Sequence, residues 1–350
     1  MNAWLQLLRF SNMPTVWTNV GAGVAIGIFI APKEPFTIAM TTAVGLTLLA
    51  ATCLYAGGMI LNDVFDLATD RIERPERPLP SGRISPRAAA LVGWTLLGAG
   101  VVAAAIASRG DVWLPAIAAT IAFLVVIYDR FHLSTAWSVL PMGLCRGLLY
   151  VLGAFAIPRE IDTSGALILG LIALAALIHT IALSLIARDE CHVLISACPE
   201  CAYPVEEETS ICPECGALAT EQAITAQNTQ SHQAKNIFFA LGIFALAGPS
   251  ALALLALLLT LGTDVSGGAW PLTGVAVAFL FLVWWLVGCH RQLFTSPPNI
   301  QGFVLGAIAA FCLYDASILI LLPSYGWAPA LVALVFFLIV RSAHRRIPGT

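Results

Sequence analysis

The sequence predicts an all-α protein, a polytopic membrane helical bundle carrying one small polar insertion. Composition is the first reason: hydrophobic residues fill 59% of the 350 positions and charged residues only 11%, against roughly 25% charged in a soluble globular chain. Repeated apolar runs are the second, each near the about 20 residues a helix needs to cross ~30 Å of hydrocarbon. Cation placement is the third. If the N-terminus is cytoplasmic, 13 of the 17 Lys and Arg fall on that side of the membrane, the bias that orients multi-pass proteins.

Ten spans can be drawn, at 14–31, 37–61, 88–108, 112–128, 136–157, 165–187, 236–261, 268–288, 301–322 and 326–341. Lipid offers the backbone no hydrogen-bond partner, so such runs are helices. The opening segment lacks a short apolar core followed by a small-residue cleavage site and reads as a retained first span. The inside segments hold Arg9, the cluster Arg71, Arg74, Arg77, Arg83 and Arg87, then Arg130, Arg188, Lys235, Arg291, Arg341, Arg345 and Arg346. Outside lie Lys33, Arg109 and Arg159, and Arg146 sits within a span. The count is nine or ten, because "LPSYGWAPA" between the last two runs suits a hairpin that stops short of a full crossing. The chain divides into residues 1–190, the first part of the bundle; 191–235, a polar cytoplasmic insertion and linker; and 236–350, the remaining helices. It reads as an integral multi-pass membrane protein with its N-terminus and charged loops in the cytoplasm.

The end of the second run, "MILNDVFDLATDRIERPERPLPSGR", concentrates charge of both signs. At 3.6 residues per turn, Asn62, Asp63, Asp66 and Asp70 fall within an arc of about 100°. Carboxylates so crowded call for a cation, and oxygen-only ligands with room for water suit Mg²⁺, which binds through one or two carboxylates plus substrate phosphates. Pro75, Pro78, Pro80 and Gly82 then stop the helix, leaving Arg71, Arg74, Arg77 and Arg83 on a loop where guanidinium groups grip phosphate oxygens. Carboxylates for metal and arginines for phosphate at the mouth of an apolar bundle point to a polyphosphate carried on a lipid. The plainer alternative is a solvated loop whose arginines and aspartates pair with one another.

"NDVFDLATDRIERPERPLPSGRIS" resembles the first aspartate-rich signature of the UbiA superfamily of intramembrane prenyltransferases, including its RPxRPLxxG continuation. "LRFSNMPTVWTNVGAG" resembles that family's first helix, with Asn19 facing the cavity. The likeness is strong over residues 7–90, diffuse through 128–154, and fades beyond about 190. It implies that Asn62, Asp63, Asp66 and Asp70 hold Mg²⁺ and, through it, an isoprenyl diphosphate whose chain lies in an apolar cavity. Ionisation of the allylic C–O bond then gives a carbocation that an acceptor attacks, with apolar walls excluding water. Arg71, Arg74, Arg77, Arg130 and Arg146 become the diphosphate-binding cations, and Asn19 and Tyr128 cavity residues.

Two departures from the family stand out. Its second acidic motif, DxxxD, is represented by "IARDECH", with Asp189 and Glu190 present but Val at 193. The basic pair after the fourth helix reads "YDRFH", which keeps Tyr128 and Arg130 and sets Asp129 between them. Within spans, Arg146 is costly in lipid and either contacts phosphate or acceptor or pairs with an acid. Asp315 either pairs with Arg146 or faces an acceptor, and His179 suits an interhelical hydrogen bond.

"CPECAYPVEEETSICPEC" places Cys198, Cys201, Cys212 and Cys215 as two CxxC pairs ten residues apart. This spacing fits a tetrahedral, structural Zn²⁺ in a small ribbon, and metal would supply most of the folding energy of so short a segment. Four thiolates leave no open coordination position for catalysis, and the acidic "VEEETS" argues against nucleic acid as a partner. The ribbon reads as a lid or as a docking surface for a soluble protein. Cys53, Cys145, Cys191, Cys289 and Cys312 read as packing residues. The partners expected of the whole are a prenyl diphosphate, a hydrophobic acceptor (aromatic, polycyclic or lipid) and the bilayer. The rival reading is a non-catalytic prenyl-lipid binding or export component; an unrelated transporter is disfavoured by the lack of internal repeats.

Overall fold

Each apolar run of the first half carries a helix, and all but the run at 136–157 give one close to the drawn length. A computed structural model describes residues 3–30, 37–131, 139–157, 162–187, 270–295, 299–322 and 327–346, with 196–197, 204–205 and positions 247, 250, 251 and 254. A short α1 (Ala3–Leu7) and a 3₁₀ turn (Phe10–Asn12) lead into α2 (Met13–Ile30) and α3 (Ile38–Phe65). Next come α4 (Leu67–Glu73), α5 (Pro86–Ser108), α6 (Trp113–Phe131), α7 (Val139–Ala154) and α8 (Thr163–Ala187). The C-terminal part supplies α9 (Trp270–Arg291), α10 (Ile300–Leu321) and α11 (Ala328–Arg346). Among the described residues eight helices are long and apolar enough to cross a membrane, with α7 a shorter apolar helix. The chain is an integral multi-pass membrane protein. The run at 236–261 lies outside the described residues, save for four isolated positions.

Two features bear on points the sequence left open. The 22-residue α10 and 19-residue α11 reach about 33 and 28 Å at 1.5 Å per residue, so both are long enough to cross fully. Within the polar insertion, Ser196–Ala197 (β1) and Pro204–Val205 (β2) pair antiparallel.

The helices sort by what they face. On α5 the exposed side chains Leu91, Trp94, Val102 and Ile106 form an apolar face, as lipid-facing surface should. At the other extreme α10 is buried almost throughout, packed among α2, α8, α9 and α11. The first and last thirds of the chain therefore close against each other through α2 and α10.

Close backbone approach fixes α2 against α7. A Cβ on Gly23 would strike the carbonyl of Tyr150, and one on Gly153 the carbonyl of Val20. Small residues let membrane helices cross this tightly. Because the obstacle is backbone, Gly153→Val is expected to force the helices apart and cost about 1–3 kcal/mol or more. A sharp fall in monodisperse protein on size exclusion would register it, with Gly170→Val, where nothing lies within 4 Å, as the silent control.

Candidate active site

The acidic helix end is not one continuous helix. Helix α3 stops at Phe65, Asp66 serves as its C-cap, and α4 begins at Leu67. The turn ladder continues across the break, since the Asp66 N–H donates to Asn62 O and the Asp70 N–H to Asp66 O. Asn62, Asp63 and Asp70 thus point into the protein, at 7%, 5% and 4% exposure, while Asp66 is half-buried.

The proline loop then folds beneath them. Backbone bonds from Ser81 N–H to Arg77 O and from Ile84 N–H to Pro78 O curl it, Gly82 takes the turn at φ 74°, and Ser85 caps α5 by accepting from Ala88 N–H. Leu79 and Ile84 anchor the loop against Leu7, Ile60 and Ala89. The result buries Arg77, only 3% exposed. Its Nη1 donates to both Asp70 oxygens at 2.9 and 2.8 Å and lies 3.8 Å from Asp63 Oδ1.

Two residues that sequence reasoning did not assign to the site complete it. Arg9, held at φ 44° before the 3₁₀ turn, donates through Nη2 to Asp63 Oδ1 at 3.2 Å and Asn62 Oδ1 at 3.4 Å. Burial works against its charge, but Asp63, with Tyr55 and Tyr128 near it, outweighs that and raises the guanidinium pKa. Asp129, on the last turn of α6, accepts from Asn62 Nδ2 at 3.3 Å. Its neighbour Arg130 is exposed and lies over the Phe131 ring at 5.7 Å, and Arg71 is likewise exposed while Arg74 is half-buried. Asp189, Glu190 and the four cysteines Cys198, Cys201, Cys212 and Cys215 lie outside the described residues.

Among the described residues no three His, Cys, Asp or Glu side chains converge as a preformed metal cage. The donor set nonetheless fits Mg²⁺ held jointly with a diphosphate: hard oxygen donors, too few for an all-protein site. Buried Nε–H groups of Arg9 and Arg77 make no hydrogen bond among the described residues, which suits donors to phosphate oxygens.

A second polar cluster lies deeper, where α2, α7 and α10 meet. Arg146 Nη1 donates to Asn19 Oδ1 at 2.9 Å and Thr15 Oγ1 at 3.2 Å, with its guanidinium 4.2 Å above the Phe311 ring. Asn19 Nδ2 donates to Asp315 Oδ2 and the Tyr150 hydroxyl, both at 2.8 Å, and Tyr150 donates to Asp315 Oδ1 at 2.6 Å. Asn19 is therefore fully buried, with both ends of its amide committed, and it stands between Arg146 and Asp315. His179 makes the interhelical contact expected of it, 3.1 Å from Ala307 O. A separate apolar groove of about 610 Å³, lined by Phe281, Leu313, Ile320 and Trp327 among others, opens on a different face of α10 and takes no part in either cluster.

Comparison with known proteins bears on the fold and on the first half of the chain. The UbiA prenyltransferase family model matches residues 20–191. A digeranylgeranylglyceryl phosphate synthase of Metallosphaera sedula is 35% identical over 106 residues, 30% of this chain and 35% of that one. The chain thus spans about a third of that relative's length. The apo structure of a UbiA homolog from Aeropyrum pernix K1 superposes with a TM-score of 0.55 at 16% identity, covering 89% of this chain and 97% of that one. A UbiA homolog from Archaeoglobus fulgidus bound to GPP and Mg²⁺ gives 0.52 at 16% identity, covering 91% and 99%. This chain is therefore built on the fold of the UbiA homologues.

Proposed function

We propose that this protein is a UbiA-superfamily prenyltransferase that moves an isoprenyl group from a prenyl diphosphate to a hydrophobic acceptor within the membrane, with Mg²⁺ as cofactor. The observation that carries the reading is the convergence of Asn62, Asp63 and Asp70 with Arg9 and Arg77 where α3 leaves the apolar bundle.

In this reading Asn62, Asp63, Asp66 and Asp70 hold magnesium, which when bound supplies Lewis-acid neutralisation of the diphosphate leaving group. Arg9 and Arg77 turn from the carboxylates toward phosphate oxygens, and Arg71, Arg74 and Arg130 add positive charge at the rim. Asp189 and Glu190 contribute a second acidic pair. The apolar helices hold the isoprenyl chain and keep water from the allylic carbon. The name of the Metallosphaera sedula relative makes a lipid phosphate the first acceptor to try, ahead of aromatic and polycyclic ones, and Arg146 is the intramembrane cation suited to it.

Purified protein given labelled geranylgeranyl diphosphate, Mg²⁺ and an acceptor pool is expected to release pyrophosphate and form a prenylated product. Magnesium-dependent binding with no turnover would identify a prenyl-lipid binding or export component instead. The same assay on sealed vesicles tests the orientation, since a cytoplasmic acidic end requires substrate on that side.

The reading includes a structural Zn²⁺ on Cys198, Cys201, Cys212 and Cys215. Pairing of Ser196 with Val205 and Ala197 with Pro204 folds the chain back across the first CxxC pair, which supports a ribbon. Plasma mass spectrometry is expected to find about one zinc per chain, lost in Cys198→Ser/Cys212→Ser. Deletion of 196–218 separates a lid, which would change the transfer rate, from a docking surface, which would not.

A further inference from the structure

An asparagine amide has an oxygen at one end and a nitrogen at the other, and only the oxygen can face a cation. For Asn62 both ends are fixed by neighbours of opposite charge. Its Oδ1 accepts from Arg9 Nη2, and its Nδ2 donates to Asp129 Oδ1. Turning the amide over would set NH₂ against guanidinium and carbonyl against carboxylate, exchanging two favourable contacts for two repulsive ones. Charge therefore dictates the orientation, independent of how the two atoms are labelled. The oxygen it presents is usefully placed, because the same Arg9 nitrogen also bonds Asp63 Oδ1. Both oxygens face one point, occupied here by positive charge.

Of the two groups that hold the amide, Arg9 is the one drawn away when an anion arrives. Asp129 stays. It is 4% exposed and comes from α6, a helix packed directly against α3. Resting on the function proposed above, we infer that Asp129 is a positioning residue: it holds the Asn62 amide so that the carbonyl oxygen, and not the nitrogen, is turned toward the cation that Asp63 also faces. This gives a purpose to an acid standing where the family resemblance led one to expect only basic neighbours.

The test is a magnesium titration of geranyl diphosphate binding, without acceptor, on the purified full-length protein. Wild type is expected to bind in a magnesium-dependent way. Asp129→Asn, which lets the amide turn over, is expected to raise the magnesium needed for half-maximal binding about 10-fold, with melting temperature and magnesium-free binding unchanged. Asp129→Glu should retain most of the wild-type requirement. The exchange Asn62→Asp/Asp129→Asn should restore it, because a carboxylate at 62 presents oxygen at either end and an amide at 129 still donates to it. An unchanged requirement in Asp129→Asn overturns the inference, as does an equal loss with and without magnesium. Should that variant not fold, the exchange decides: a wild-type requirement supports the inference and a raised one overturns it. Wild type that binds geranyl diphosphate without regard to magnesium removes the functional reading and this inference together, an outcome visible before any variant is made.

Discussion

Under the prenyl-transfer function proposed above, Asp63→Asn is expected to lower turnover by at least about 100-fold and to leave the protein folded. That is the scale of removing one preorganised charged group from a low-dielectric site. The asparagine keeps the size of the side chain and an oxygen for Arg9 and Arg77, so what disappears is the negative charge they share. With that charge gone, the half-buried Arg9 and buried Arg77 guanidiniums oppose each other across a weaker acceptor and the cation loses a ligand. Pyrophosphate release from geranylgeranyl diphosphate measures the effect, with size exclusion and melting temperature as controls. A variant turning over within a few-fold of wild type would falsify the assignment of Asp63.

Asp315→Leu is expected to produce the largest loss of stability. The carboxylate is fully buried in α10 and accepts from Asn19 and Tyr150. Hydrogen bonds between membrane helices are worth well under 2 kcal/mol each on average, so their loss alone would be modest. The greater cost comes from Arg146, whose cation then keeps the Asn19 amide, the Thr15 hydroxyl and the Phe311 face but loses the nearby carboxylate. Breaking a buried charged network from one side costs about 3–5 kcal/mol, which corresponds to a fall in melting temperature of roughly 5 °C in a chain of this size. Asp315→Asn, which keeps an acceptor oxygen, should fall less. Arg146→Met combined with Asp315→Leu should recover part of the loss, since it removes the cation that was stranded. A double variant no more stable than Asp315→Leu alone would show that Arg146 and Asp315 do not communicate through Asn19.

The parts of this structure legible in the sequence are those written in local periodicity. Apolar runs give most of the helices, and the spacing of Asn62, Asp63 and Asp70 places them on one buried face. Arg9 and Asp129 escaped because they reach the site from 53 and 67 residues away from Asn62, and no pattern along the chain records that meeting. A faint signal existed for Asp129, an acid in the last turn of an apolar span. Next to Arg130 it reads as half of a solvated pair, whereas the helix turns one inward and the other out. Asn19, Arg146 and Asp315 were each conspicuous as polar groups in lipid. Their arrangement was not, since an amide interposed between cation and anion leaves the two charges without direct contact. Asp66 fell at a helix break because the α3 to α4 join depends on the loop that packs beneath it.

The interlock of α2 with α10 also bears on how the polypeptide is made. Asn19 and Arg146 are synthesised well before Asp315, so during translation the early helices enter the bilayer carrying polar groups whose anionic counterpart is still unborn. Until residue 315 has been made, Asn19, Tyr150 and Arg146 lack the carboxylate that completes their network, so the early helices reach their final packing only once α10 slots home.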